Sequence, residues 1–201
     1  AVQYAAMRDV DVIVTDHHKL PETLPDAYAV VNPRRTTPGH PLRDLPGVGV
    51  AYKLIEALAP SDFDTTPLLD LVALGIVADV AVQRADTRYL LQRGLAVLRD
   101  TKRIGLQAMM ELAEVDPANL DEGDIAFRLA PRLNAIGRLG DANPSTELLT
   151  TKKLERARIL ANQLEGLNAE RRRLSDELWR GVQAALEREP HLLKHAALVV
   201  A

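Results

Sequence analysis

A short β-branched run, Val10, Val12, Ile13 and Val14, ends directly on Thr15-Asp16-His17-His18. A run of this kind reads as a buried parallel strand. Parallel strands require crossover connections, usually helical, so the expected class is α/β. In open α/β sheets, functional groups collect where the strands end at their carboxyl edge. One acid and two imidazoles are therefore delivered together to the place where such folds do chemistry. Imidazole and carboxylate are also a ligand set for Mn, Fe or Zn. The same tripeptide also fits a plain loop with a helix N-cap.

The remaining pattern is largely helical. A short strand is expected at Tyr28–Val31, followed by a polar stretch that opens on Asn32-Pro33-Arg34-Arg35. Gly47-Val48-Gly49 opens a helix over Val50–Leu58, and Pro60 closes it. Leu68–Ala78 is apolar enough for a buried helix and ends at Asp79. Asp86 caps a helix to Leu98, and another runs from Ile104 to Leu112. Asp121 or Asp124 caps the next, with Ile125, Leu129 and Leu133 at helical spacing. A Gly-bearing turn is expected at 137–141. Lys152 to Arg188 forms one long helical pattern with leucines at mixed threes and fours, terminated by Pro190. It lacks a sustained heptad, so an interdomain connector fits as well as a coiled coil. Ala196–Val200 reads as the first strand of a following domain. The chain opens inside an apparent helix without an initiator Met, as expected of a piece of a longer protein.

Asp79 ends the run Gly75-Ile76-Val77-Ala78 and admits two uses, a helix-end group or a hard oxygen ligand for Mg or Mn. Pro131-Arg132-Leu133-Asn134-Ala135-Ile136-Gly137-Arg138-Leu139-Gly140-Asp141 places Arg132, Asn134 and Arg138 around a helix end. Arg is a bidentate phosphate donor. A helix stop with Arg at the favourable C-terminal end accounts for the same residues. The Gly47/Gly49 pair is neither a P-loop nor a full dinucleotide fingerprint, and close packing of a helix on a sheet is its simpler use. Pro33-Arg34-Arg35 and Arg171-Arg172-Arg173 are small basic clusters, read first as solvated faces. His40, His191 and His195 read as surface residues.

Composition removes several alternatives. With one Trp and two Phe, the core must be built from Leu, Val, Ile and Ala. There are no cysteines, which excludes thiolate metal sites and a Cys nucleophile. The net charge of −3 gives no global nucleic-acid signal, although a local patch suffices for binding. No stretch approaches a membrane helix and no signal peptide is visible. A cytoplasmic location and no membrane partner are expected.

Four blocks in order, Asp16-His17-His18, Pro46-Gly47-Val48-Gly49-Val50-Ala51, Gly75-Ile76-Val77-Ala78-Asp79-Val80 and Ala130-Pro131 through Asp141, resemble the RecJ single-stranded-DNA-specific exonucleases of the DHH phosphoesterase superfamily. The resemblance implies a 5′-to-3′ exonuclease of DNA repair and recombination that hydrolyses single-stranded DNA to mononucleotides. It implies Mn²⁺ or Mg²⁺, two per complete site. His17 and Asp79 map to metal ligands, with Asp16 in or beside the ligand shell. His18 maps to the residue facing the scissile phosphate. Arg138 and Asn134, with Arg132 beside them, map near the substrate. It further implies that residues 1–150 are the back part of a DHH catalytic domain with a parallel sheet flanked by helices. Residues 151–190 are then the connecting helix, and 191–201 the first strand of a DHHA1-type domain.

The family's upstream Asp-x-Asp motif lies outside this sequence. The expectation is therefore an active parent protein and an inactive fragment. Single-stranded DNA is the expected partner, with repair or replication proteins as possible further ones. Two alternatives stand beside this reading. One is a DHH phosphodiesterase of short oligonucleotides or cyclic dinucleotides, whose members lack the Asn-Ala-Ile-Gly-Arg block and the long helix. The other is a non-catalytic replication scaffold, whose degenerate members lose metal ligands that this chain retains.

Overall fold

A computed structural model describes residues 1–139, 143–194 and 197, with the side chains of residues 138 and 139 excepted. Helix α1 (Val2–Ala6) precedes strand β1 (Ile13–Thr15), which pairs in parallel with β2 (Ala29–Val31). The register sets Ile13 against Ala29, Val14 against Val30 and Thr15 against Val31. Then follow α2 (Gly47–Leu58), α3 (Leu69–Ala78), α4 (Ala85–Arg99) and α5 (Ile104–Leu112). A nearly continuous helical stretch comprises α6 (Glu122–Asp124), a π turn (Ile125–Leu129) and α7 (Ala130–Leu139). Helices α8 (Asn143–Thr150) and α9 (Leu154–Arg188) complete the described structure. The class is α/β, mostly helical, with a small parallel sheet.

Three expectations need correction. Asp86 does not cap α4: it lies inside the first turn, and the N-cap is Arg84, with no side-chain cap hydrogen bond. The β-branched run is not a buried strand. Only Ile13–Thr15 pair, and Ile13 is 58% exposed. Among the described residues β2 is the sole strand paired with β1. The turn expected at 137–141 is also wrong over its described part. Gly137 lies inside α7, which runs to Leu139. Nothing stands within 4 Å of where a Gly137 Cβ would be, so the glycine marks an open helix face. The strand expected at Ala196–Val200 lies outside the described residues.

Helix α3 is the centre of the core. Leu69, Val72, Ala73, Leu74 and Ile76 are buried, which explains an apolar run without a polar face. Helix α4 lies close against it, because a Cβ on Gly94 would fall 2.4 Å from the Leu69 carbonyl. The one acid in the first turn of α3, Asp70, is buried and fully engaged. Thr101 Oγ1 donates to it at 2.7 Å and Arg103 Nε at 2.9 Å. Arg103 also donates to the Leu149 carbonyl at 3.2 Å, tying α3 to the end of α8. Removing one partner of such a buried pair costs about 3–5 kcal/mol.

The Asp121 cap forms as expected. Its carboxylate accepts from the Gly123 and Asp124 amides, and Asp124 reaches back to the Asp121 amide at 3.3 Å. The π turn follows immediately. Pro131 has no N–H for the Phe127 carbonyl, and its ring crowds an α-helical turn; the wider turn lies directly upstream of it. Helix α9 buries Ala157, Leu160, Ala161, Leu164 and Asn168 against α5, α7 and α8. Beyond Asn168 it carries no buried residue.

Helix α2 is held close on two sides. A Cβ on Gly75 of α3 would meet the Val48 side chain at 2.6 Å. A Cβ on Gly47 would meet the His17 ring at 3.2 Å. Gly75→Ala is expected to destabilise the fold by about 1–3 kcal/mol through overpacking, read as a lowered thermal midpoint. Val48→Ala in the same background should recover part of the loss. A neutral Gly75→Ala would show that this contact does not set the α2–α3 spacing.

Candidate metal centre

The ladder delivers the first residues of the site. The Asp16 amide donates to the Val31 carbonyl at 3.0 Å, extending the parallel pair to the acid itself. From there the side chains form a local lattice. His18 Nδ1 lies 2.7 Å from Asp16 Oδ1. Asn32 Nδ2 donates to Asp16 Oδ2 at 3.4 Å and to the His18 carbonyl at 3.1 Å. Asn32 Oδ1 accepts from the Arg34 amide at 2.8 Å and so caps the short 3₁₀ turn Pro33–Arg35. Asn32 is 7% exposed. One buried amide thus clamps the residues after β1 to those after β2. The hydrogen bond from His18 holds the Asp16 carboxyl below its usual range. Desolvation opposes that shift, and the backbone amides of His18 and His17 reinforce it.

Helix α3 supplies the fourth residue. Asp79 is its C-cap, and Val80 follows in the left-handed region at φ 52°. The Val80 amide donates to the Val77 carbonyl and the Ala81 amide to the Ile76 carbonyl, both at 3.1 Å. This is a Schellman stop with valine where glycine is usual. It leaves Asp79 Oδ2 at 3.5 Å from His17 Nδ1, a distance at the outer limit of a hydrogen bond. The His17 and His18 rings lie 4.3 Å apart. Ligand atoms of Asp16, His17 and His18 all fall within 4.8 Å of one another.

The electrostatics are compatible with a bound cation. A carboxylate at a helix C-terminus faces the negative end of the macrodipole. Among the described residues the one ion-pair-distance partner of Asp79 is the His17 imidazole, at 3.5 Å. Two carboxylates and two imidazoles are a donor set suited to Mn²⁺, with Mg²⁺ favouring the oxygens.

The motif helix α7 is arranged differently. Arg132 Nε lies 2.5 Å from Glu165 Oε2 on α9, and Arg132 Nη1 donates to the Arg128 carbonyl at 2.5 Å. Its guanidinium therefore joins α7 to α9. Asn134 is exposed and lines a groove with Val77 and Ala78 at the end of α3. No contact joins either residue to the His17 cluster among the described residues. The Arg138 side chain lies outside the described residues. The residue that sequence reasoning missed is Asn32. Its signal was present, an Asn directly before Pro at the start of a turn.

Residues 1–76 match the model of the DHH family, N-terminal domain. The chain is 41% identical over 199 residues to the single-stranded-DNA-specific exonuclease RecJ of Salmonella typhimurium, covering 91% of this chain and 33% of that protein. The crystal structure of RecJ from Thermus thermophilus in complex with Mn²⁺ superposes with a TM-score of 0.78 at 34% identity. That match covers 90% of this chain and 27% of the other. Over the part that this chain spans, it is similar to the RecJ proteins. The Mg²⁺ complex of the same Thermus protein gives a TM-score of 0.68 at 33% identity, over 94% of this chain and 27% of the other. The chain thus spans a third or less of the length of these RecJ relatives.

Asn32→Ala would strip a donor from Asp16 and leave the His18 carbonyl short of a partner. The expected cost is about 1–3 kcal/mol of stability. Affinity for Mn²⁺ should fall about 10- to 100-fold, the usual effect of losing a group that orients metal ligands. Calorimetric Mn²⁺ titration of the folded variant checks both. Wild-type affinity would show that Asn32 only shapes the loop.

Proposed function

We propose that this chain forms part of the catalytic domain of a divalent-metal-dependent exonuclease that releases mononucleotides from the 5′ end of single-stranded DNA. The observation that carries the reading is the placement of Asp79, at the end of α3, beside His17, just past the end of β1. The names of the relatives and their Mn²⁺ and Mg²⁺ complexes support the same reaction.

In this reading His17 and Asp79 are metal ligands, with Asp16 in or beside the shell, and a complete centre holds two ions. Bound divalent cations would supply Lewis-acid stabilisation of the phosphoryl oxygens and a water of lowered pKa. The chain's own residues fix the rest. Asp16 takes the Nδ1 side of His18 and leaves Nε2 on the exposed side of the ring, which is 77% solvent-accessible. Nε2 is the ring atom that would face a non-bridging phosphate oxygen, and it would donate there when it carries a proton. Asn32 prevents the two strand ends from separating. Arg132 positions α7 through Glu165, while Asn134 and Arg138 are assigned to the substrate path. Residues 1–150 then belong to the catalytic domain and 151–190 to the connecting helix, with a DHHA1-type domain beginning at 191. The first half of α9 packs as an integral part of the catalytic body.

His17→Ala and Asp79→Ala in the full-length protein are each expected to lower Mn²⁺-dependent mononucleotide release at least about 100-fold, with the fold retained by circular dichroism. Release should come from the 5′ end of single-stranded DNA and not from duplex. Cleavage confined to dinucleotides would move the assignment to a short-substrate phosphodiesterase. Full activity in either variant would refute the proposed centre.

A further inference from the structure

One residue beyond Asp79 the chain opens into a groove of about 810 Å³ between the end of α3, the π turn and α9. Its walls carry two large apolar side chains that folding leaves in water. Val80 is 89% exposed and Phe127 is 82% exposed. Val80 holds this position at φ 52°, a conformation disfavoured for β-branched residues. Strain of that kind is retained where surroundings enforce it and often marks a functional surface. Phe127 projects from the π turn, which is itself an irregularity common at functional sites.

The charge in the groove is also specific. Three arginines follow one another on α9. Arg172 is paired with Glu165, and Arg173 with Glu170 and Glu177. Arg171 lines the groove and is held instead by the neutral amide oxygen of Asn168, at 3.1 and 3.3 Å. Asn168 is itself 2% exposed, so the guanidinium rests on a fixed, buried partner. Among the described residues no carboxylate pairs with Arg171. The acid among the residues that line the groove is Glu122. A flat aromatic face, a β-branched wall and an uncompensated guanidinium on a fixed support together suit one kind of occupant. That occupant has an aromatic plane and a negative charge.

We infer that this groove is a nucleobase subsite, in which an unpaired base of the substrate strand stacks on Phe127 against Val80 while Arg171 takes the adjoining phosphate. The inference rests on the single-strand nuclease reading and extends it. It accounts for strand preference locally, since a base held in a duplex stack has no free face to offer Phe127. Val80, on the groove wall, is the residue next to Asp79 in the chain.

The test uses the full-length protein without divalent metal, so that the probe is not degraded. Fluorescence anisotropy would follow binding of a labelled oligothymidylate and of an abasic oligomer with equal length and charge. Phe127→Ala is expected to weaken oligothymidylate binding about tenfold or more and leave the abasic oligomer unchanged. Phe127→Trp should retain binding. Arg171→Ala should weaken both probes and flatten their salt dependence. Phe127 lies outside the core, so the thermal midpoint of Phe127→Ala should stay within error of wild type. Equal loss on both probes, no loss at all, or no oligothymidylate binding by the wild type would overturn the inference. So would Phe127-dependent self-association, which would assign the groove to a second copy of the chain. If Asp79→Ala leaves nuclease activity intact while the Phe127 effect persists, the metal reading fails and the subsite stands. If Asp79→Ala abolishes activity but Phe127→Ala binds like wild type, the subsite fails alone.

Discussion

The seating of α2 between the sheet and α3 is the constraint from which the candidate site follows. Gly75 lets the Val48 side chain press against the α3 backbone, and Gly47 lets the start of α2 approach the His17 ring. Neither approach tolerates a Cβ without movement. Together they bring the end of β1 and the end of α3 to opposite sides of one short helix start. Asp79 and His17 meet there because the backbones on both sides are close enough. The β1–β2 ladder and the Asn32 clamp then hold Asp16 and His18 around the same point.

The two ends of α3 treat their acids in opposite ways. Asp70, in the first turn, sits where the macrodipole favours an anion. It is also neutralised by Arg103 and bonded by Thr101. That acid is a structural fixture. Asp79 sits at the end where the dipole opposes an anion, and it receives only a distant imidazole. Its side chain is 44% exposed, so solvent holds the charge that the helix end disfavours. That leaves the carboxylate open to a cation, as the proposed centre requires. Helix α9 is divided in a similar way. Its first half is core, with Glu165 anchoring Arg132, while its Arg171 is left without a carboxylate at the groove.

Much of this was legible in the sequence where periodicity and punctuation agree. Ile104–Leu112, Leu69–Ala78 and the long α9 helix follow from apolar spacing and clear stops. The Asp121 cap was visible as an acid before an apolar helical run. The strand was overread because Val10 and Val12 are β-branched yet lack a pairing partner, and β-propensity acts through neighbours more than through the residue itself. At Gly137 the expected turn was placed too early, because a glycine on an exposed helix face costs only about 1 kcal/mol and does not end the helix. The His17–Asp79 contact could not be read at all without the resemblance to a family. It depends on which side chains lie opposite Gly47 and Gly75, and that is decided by packing. The Phe127 groove was hidden for a similar reason, since helical spacing alone does not reveal where a π turn will rotate a side chain outward.

The central claim is that His17 and Asp79, with Asp16 in or beside the shell, hold divalent cations next to His18. Paramagnetic broadening of the histidine imidazole resonances during Mn²⁺ titration tests it most directly. His40 and His191, on the exposed surface, serve as internal controls. The account predicts that His17 and His18 broaden first, at Mn²⁺ concentrations that leave His40 and His191 sharp, and that Asp79→Ala abolishes this selectivity. Uniform broadening of all four rings, or selectivity unchanged in Asp79→Ala, would contradict it.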